Sequence, residues 1–366
     1  MIKPHQFIGL AGATALSVLV ALGLYAGSNR WSTGKVEGAA FLPELAQNLA
    51  SVAAVEVSQS GQKLTFERAG NAWKVRDRAG YPAKTETVRT LLVTLAEAQL
   101  IESRTAVKGK LPLLELEDPA AKDAKSRGVR VLDSAGKPIV SVVLGKSRMD
   151  AFGQGRGGIY VRRQDEAQSW LATGDARVTA DIKDWVDTQV LTVDTGKVAR
   201  LTLEHPGEEP LVVEKTPPEP KAEPGKDGKP ANATPIPPPP SAAKDGKFRL
   251  ANMPEGKKLK KDANVDQIID GLASISLEDV RKLDAVPSGD KVSVLKLEQE
   301  GGPTVTLRLR KDGENAWLSL EAVGADGDAK KKADELNAKA KGWEYRIQTW
   351  KADQINKRRA DLFETS

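Results

Sequence analysis

A chain of 366 residues with 55 basic and 50 acidic side chains, a net charge of +5 and a pI near 9.1 has a mixed surface rather than a basic arm, so nucleic acid is not indicated. It contains no cysteine, which excludes disulfides, a thiol nucleophile, iron–sulfur clusters and cysteine zinc sites. Its two histidines, His5 and His205, cannot build a multi-histidine metal centre within one chain.

The first element is the strongest. Phe7 to Ala26 carries no charge and, as a helix, is long enough to cross the roughly 30 Å hydrocarbon core. Lys3 and His5 precede it, and Tyr25 and Trp31 stand at its far end, where amphipathic rings favour the headgroup region. It reads as a retained anchor over residues 1–31, with a cleavable signal peptide as the rival reading because Ala26-Gly27-Ser28 supplies small residues after the apolar run. The flanking charges are close to a tie, so charge alone does not set the orientation.

From Val55 to Val75 apolar and polar residues alternate between the turn signals Ser60-Gly61 and Ala69-Gly70-Asn71, which predicts a three-stranded antiparallel meander ending in Trp73. A helix follows, with Val88, Leu91, Leu92 and Leu95 on one face and Leu100 one stripe further on. A looser hairpin covers Val129–Leu132 and Ile139–Leu144, then come a strand at Ile159–Val161 and a short helix at Ile182, Trp185 and Val186. The first plan returns downstream. Leu201–Leu203 and Leu211–Val213 are its strands, Lys247–Leu250 takes the place of the strand bearing Trp73, and Val265, Ile268, Ile269, Leu272 and Leu277 reproduce the helix spacing. A third copy starts at Val294–Leu297, continues through Val305–Leu307 to Trp317, and ends in a degenerate helix around Ile355 and Leu362, interrupted by Arg358 and Arg359.

The expectation is an α+β protein made of repeated antiparallel meander-plus-helix units in two halves, residues 32–196 and 197–366, divided near Gly196. Ten of the 21 prolines fall between Pro217 and Pro240, so residues 216–246 read as a disordered, proline-rich insertion in place of a hairpin turn.

No residue is nominated as catalytic, cofactor-binding or metal-ligating. Gly153–Gly158 is glycine-rich but is followed by a strand, whereas phosphate-binding glycine loops open onto a helix. Asp181, Asp184 and Asp187 are expected on the solvated side of a short helix, and Glu115, Glu117 and Asp118 in an exposed connection. His205, in His-Pro-Gly, is expected at a surface turn, with no G-x-S-x-G elbow anywhere to serve. The clusters Lys257–Lys261, Lys330–Lys332 and Lys357–Arg359 read as solvated loops or helix ends, and Trp73, Trp317 and Phe248 as core residues at equivalent repeat positions.

The apolar N-terminal stretch, the hairpin leading to Asn71-Ala72-Trp73-Lys74-Val75, Tyr81-Pro82-Ala83 and the Val88/Leu91/Leu92/Leu95 helix, repeated downstream, together resemble a bacterial envelope family of unknown function. Members of that family are frequently encoded beside components of gliding-motility-type ABC transport systems. The resemblance implies a single-pass inner-membrane protein whose soluble part is periplasmic. It further implies a non-enzymatic accessory or scaffold whose partners are envelope proteins, with ABC-type permease components as candidates. It supplies no catalytic residue and no cofactor. The alternative is a periplasmic cell-wall-binding module or hydrolase, which needs a cleft with convergent carboxylates or exposed aromatic rings.

Overall fold

A computed structural model of the chain describes residues 35–149, 151, 157–216, 247–253, 256–261 and 263–364. The apolar stretch 7–26, most of the glycine-rich loop and nearly all of the proline-rich insertion lie outside the described residues. Among the described residues no helix is long and apolar enough to cross a membrane.

The chain divides into two units between Asp181 and Ile182, not near Gly196. The first opens on β1 (Lys35–Ala40) and α1 (Pro43–Asn48), then runs through β2 (Ala54–Gln59), β3 (Gln62–Ala69), β4 (Ala72–Val75) and the short β5 (Tyr81–Ala83). Helix α2 (Thr85–Glu97) and β6 (Gln99–Ser103) lead to a second meander, β7 (Arg127–Leu132), β8 (Pro138–Arg148), β9 (Gly158–Arg163) and β10 (Ser169–Thr173). All ten strands form one antiparallel sheet in the order β1-β6-β10-β9-β8-β7-β2-β3-β4-β5. The predicted strand alternation and the apolar stripe of α2 are both present: Val55, Val57, Leu64, Phe66, Val88, Leu91, Leu92 and Leu95 are buried.

The second unit contains β11 (Gln189–Thr192), β12 (Val198–Glu204), β13 (Leu211–Lys215), β14 (Phe248–Leu250), α3 (Asp266–Leu272), β15 (Ser274–Ser276) and β16 (Asp279–Lys282). It continues with β17 (Val292–Gln299), β18 (Thr304–Asp312), β19 (Asn315–Val323), α4 (Gly327–Ala340), β20 (Trp343–Ile347), α5 (Thr349–Ile355) and α6 (Arg359–Leu362). Eight strands make an antiparallel sheet, β14-β13-β12-β17-β18-β19-β20-β16, and β11 pairs with β15 alone. Strands β13 and β14 are adjacent, with Lys215 opposite Phe248, so residues 217–246 do stand between the two arms of a hairpin.

The repeat is therefore larger than a meander with its helix. In each unit the first strands of two meanders pair, β2 with β7 and β12 with β17, to give one continuous sheet. Strand β6 bonds to both β1 and β10; in the second unit that double role is divided, β15 bonding to β11 and β16 to β20. Since β11 is the counterpart of β1, the second copy starts ahead of Gly196, which explains where the chain divides.

Several finer expectations change for the same reason. Leu100 lies in β6, and Leu277 directly follows β15, so neither continues its helix. Ile182, Trp185 and Val186 are buried, but only Ile182–Asp184 is helical, as a single 3-10 turn. Trp317 lies on β19, which corresponds to β9, so it is not the equivalent of Trp73 and Phe248, although all three are buried. The last helix is two, broken at Asn356, with Ile355 and Leu362 both buried as the spacing required.

Packing in the second unit turns on a close helix crossing. A Cβ placed on Gly271 of α3 would come within 2.6 Å of the Ile355 Cγ2 on α5, so glycine there is a requirement of the contact. Within the sheet, Glu344 is buried and takes hydrogen bonds from Arg310 Nε at 2.7 Å and Arg281 Nε at 2.8 Å, and Arg281 also stacks over Trp317 at 3.6 Å. Burial alone would raise the Glu344 pKa, but the Arg310 and Arg281 bonds outweigh it and hold the carboxyl below its ordinary 4.5.

A carboxylate held low in the folded state stabilises the fold fully above its unfolded pKa, and that contribution is lost as the pH falls toward the folded value. Glu344→Gln is expected to cost about 3 kcal/mol at neutral pH, the low end of the range for a broken buried pair because both arginines keep access to water. Its urea-unfolding free energy should also fall less steeply than the wild type's as the pH is lowered below 5.

Candidate functional site

Two concave regions of the second unit lie at opposite ends of β17. The first is a polar cavity of about 500 Å³. Lys291, just ahead of β17, Ser293 of β17 and Leu309 and Lys311 of β18 line it, and the C-terminal segment supplies Asp353, Asn356, Lys357 and Arg358. Ser293 and Leu309 are register partners, so they share one sheet face. His205 is beside them and corrects the expectation of a surface turn: only 4% of it is exposed. It directly follows β12, whose pairing with β17 brings it to Ser293.

The imidazole is bonded at both nitrogens. Nε2 is 2.9 Å from the Lys357 carbonyl oxygen, and Nδ1 is 2.9 Å from Ser293 Oγ. A carbonyl can only accept, so Nε2 carries a proton. In the neutral ring Nδ1 then accepts from the Ser293 hydroxyl. This ties β12 and β17 to the C-terminal segment, helped by Arg358 on Glu208 at 2.6 Å and by the Arg359–Glu209 ion pair at 3.1 Å. Lys311 pairs with Asp353 at 2.5 Å. Asn356 Oδ1 is buried without a hydrogen-bond partner.

The second region is a groove of about 440 Å³ lined by all four residues of β11, by the Gln299–Pro303 turn and by Leu336 and Lys339 of α4. Strand β11 has one strand neighbour, so one of its edges carries no β partner. The Val193 N–H bonds to the Ala273 carbonyl, and antiparallel alternation turns the Thr192 N–H and C=O the other way, toward that open edge. At the rim, Lys215 bonds to Glu300 at 3.3 Å and Lys197 pairs with Asp194 at 3.7 Å.

Other residues singled out in the sequence are not gathered into a site. Asp181, Asp184 and Asp187 are exposed, and no group of three potential metal ligands occurs among the described residues. Glu117 is not simply exposed: its Oε1 accepts the backbone N–H groups of Lys125 and Ser126 at 2.5 and 3.0 Å, pinning a loop. Nearby, the buried Arg162 donates to five backbone carbonyls, including Leu116 at 2.8 Å and Gln164 at 2.6 Å, and burial lowers its pKa. Leu259 of the Lys257–Lys261 cluster bridges to Phe363, fastening the C-terminus. Lys330–Lys332 lie within α4, a helix the periodicity did not reveal because only Ala333 and Ala340 of its residues are buried. No pattern in the sequence flagged Ser293, Asn356 or β11, because each acquires its role from a strand pairing or a chain crossing distant in sequence.

A tandem of α+β units, each built on an antiparallel sheet of two joined meanders, is the class that this fold defines. The chain belongs to the family described as a domain of unknown function (DUF4340), whose model matches residues 73–285, from β4 of the first unit to just past β16 of the second. No curated protein and no solved structure matches it.

His205→Ala should leave the Lys357 carbonyl and the Ser293 hydroxyl without their partner and lower stability by about 1–3 kcal/mol. Amide exchange should rise selectively in residues 353–364 if the histidine acts as this tie.

Proposed function

We propose that the chain is a non-enzymatic accessory or scaffold protein, anchored in the bacterial inner membrane by residues 7–26, with its two sheet units in the periplasm. Its partners on this reading are envelope proteins, and the leading candidate is the permease of an ABC-type transport complex. The observation that carries the proposal is the open edge of β11 beside the groove. An unpaired strand edge offers main-chain donors and acceptors to an incoming extended segment, the β-augmentation mode of recognition, while Val190, Pro303 and Leu336 offer apolar contact for its side chains. The occupant is thus an extended peptide segment of the permease. Family membership and the apolar N-terminal stretch support the setting.

Crosslinking in intact cells, followed by capture of the tagged full chain from gently solubilised membranes, tests this. A photo-crosslinker at Leu336 should give one dominant adduct with a permease component. Thr192→Pro, which removes an N–H directed away from β15, should reduce that adduct at least about tenfold, equivalent to roughly 1.4 kcal/mol of binding, with the melting temperature essentially unchanged. An adduct yield unaffected by Thr192→Pro overturns docking at β11. Absence of any permease component from the whole chain's captures overturns the accessory reading itself.

A further inference from the structure

We propose that one face of the first unit docks onto the headgroup layer of an anionic phospholipid bilayer. The face is formed by the 3-10 segment Lys108–Leu114, with Val107 just ahead of it, and by Met149 at the end of β8. The inference rests on the membrane anchor proposed for residues 7–26 and is separate from docking at β11.

Three large apolar side chains are left in water here: Val107 is 57% exposed, Leu113 68% and Met149 72%. Single exposed apolar residues are ordinary on a protein surface, so the weight lies in their grouping. The 107–114 segment folds back over the sheet and buries Leu111 in a cluster with Val143, Tyr160 and Leu171. Leu114 and Ala151 pack against the same cluster, and they stand one residue from Leu113 and two from Met149. The Leu114 carbonyl lies so close over Gly145 of β8 that a Cβ there has no room. With three residues per 3-10 turn, Leu111 and Leu114 share the side facing the sheet, and Leu113 is left on the outer side.

Charge is the second observation. Lys108 and Lys110 alternate with the apolar residues of the segment, and Lys146 and Arg148 precede Met149. All four are exposed, and none has an acidic partner among the described residues. The acids beside them are engaged elsewhere, Glu115 by Arg127 at 3.9 Å and Asp175 by Arg177 at 2.8 Å. Asp150, next in the chain after Met149, still leaves the group with a positive charge.

That combination discriminates between occupants. Lysine is depleted in protein–protein interfaces, where its strongly hydrated ammonium would be stripped of water. At a bilayer the same groups stay hydrated beside lipid phosphates while the apolar side chains reach the acyl boundary. Chain geometry keeps the face within reach of the anchor's own membrane. Eight residues separate Ala26 from Lys35, so the connection spans no more than about 30 Å even when fully extended. Lys35 opens β1 as the register partner of Glu102 on β6, and Val107 follows Glu102 by five residues. Strand β8 is four strands from β1 in the sheet, about 20 Å away.

The test uses the full chain reconstituted into phosphatidylcholine vesicles with or without phosphatidylglycerol. Because the chain has no cysteine, Leu113→Cys, Met149→Cys and Ala135→Cys each take a single fluorophore. Ala135 is the control, an exposed residue in the turn at the opposite end of β8. Headgroup-nitroxide lipid in the phosphatidylglycerol vesicles is expected to quench the labels at 113 and 149 and to spare the one at 135. Combining Lys108→Gln, Lys110→Gln, Lys146→Gln and Arg148→Gln should reduce that quenching at least about fivefold. The melting temperature should not change, since all four side chains are exposed. Vesicle flotation reports the anchor separately: a chain that does not float sinks the anchor reading and this proposal with it. A chain that floats, with labels at 113 and 149 quenched no more than at 135 or regardless of phosphatidylglycerol or the four cations, overturns docking and leaves the anchor in place. A photo-crosslinker at Leu113 that captures a protein in cells, without quenching in vesicles, gives the face to a protein and overturns the proposal equally.

Discussion

The pairing of the leading strands of two meanders, β2 with β7 and β12 with β17, is the constraint on which each unit depends. A meander of three short strands has two free edges and one apolar face, and a single helix leaves much of that face wet. Joining two meanders through their first strands removes one edge from each and doubles the continuous apolar surface. In the second unit α3 and α5 then cross closely enough that the contact excludes a side chain at Gly271. The register Leu201 opposite Leu297 and Leu203 opposite Leu295 places buried leucines in pairs at the centre of the sheet.

The same pairing sets the functional geography. Strand β17 runs from Val292, beside the polar cavity, to Gln299, at the groove next to β11. His205 reaches Ser293 only because β12 lies alongside β17, and the Lys357 carbonyl completes the tie from a segment more than 150 residues later. One strand therefore contributes to the walls of both concave regions, and its length sets the distance between them.

Much of the strand and helix content was legible in the sequence because alternation and the i, i+3, i+4 stripe are local properties. Val88, Leu91, Leu92 and Leu95, and again Val265, Ile268, Ile269 and Leu272, announce their burial directly. What was not legible depends on long-range pairing. The β12·β17 ladder and the division of β6 into β15 and β16 leave no local trace, so the repeat appeared as a meander with a helix rather than as two joined meanders. His205 was misplaced because His-Pro-Gly is a good turn signal, and the turn is real: the Glu208 N–H bonds back to the His205 carbonyl. The C-terminal segment that buries the ring comes from the far end of the chain. Helix α4 was missed because its buried residues are two alanines, which carry little periodic signal, and its hydrogen bonds to β19 come from a polar side chain, the Asn337 amide on both backbone groups of Ala322.

That the joined pair of meanders is the cooperative unit is tested most directly by native-state hydrogen exchange of the full chain across a denaturant series. The amides of β12, β13, β17 and β18 should merge into one opening reaction at the free energy of unfolding of the second unit. If β12–β14 and α3 instead open together at a clearly lower free energy than β17–β19, the single meander with its helix is the cooperative unit and the β12·β17 pairing is not the constraint that holds the fold.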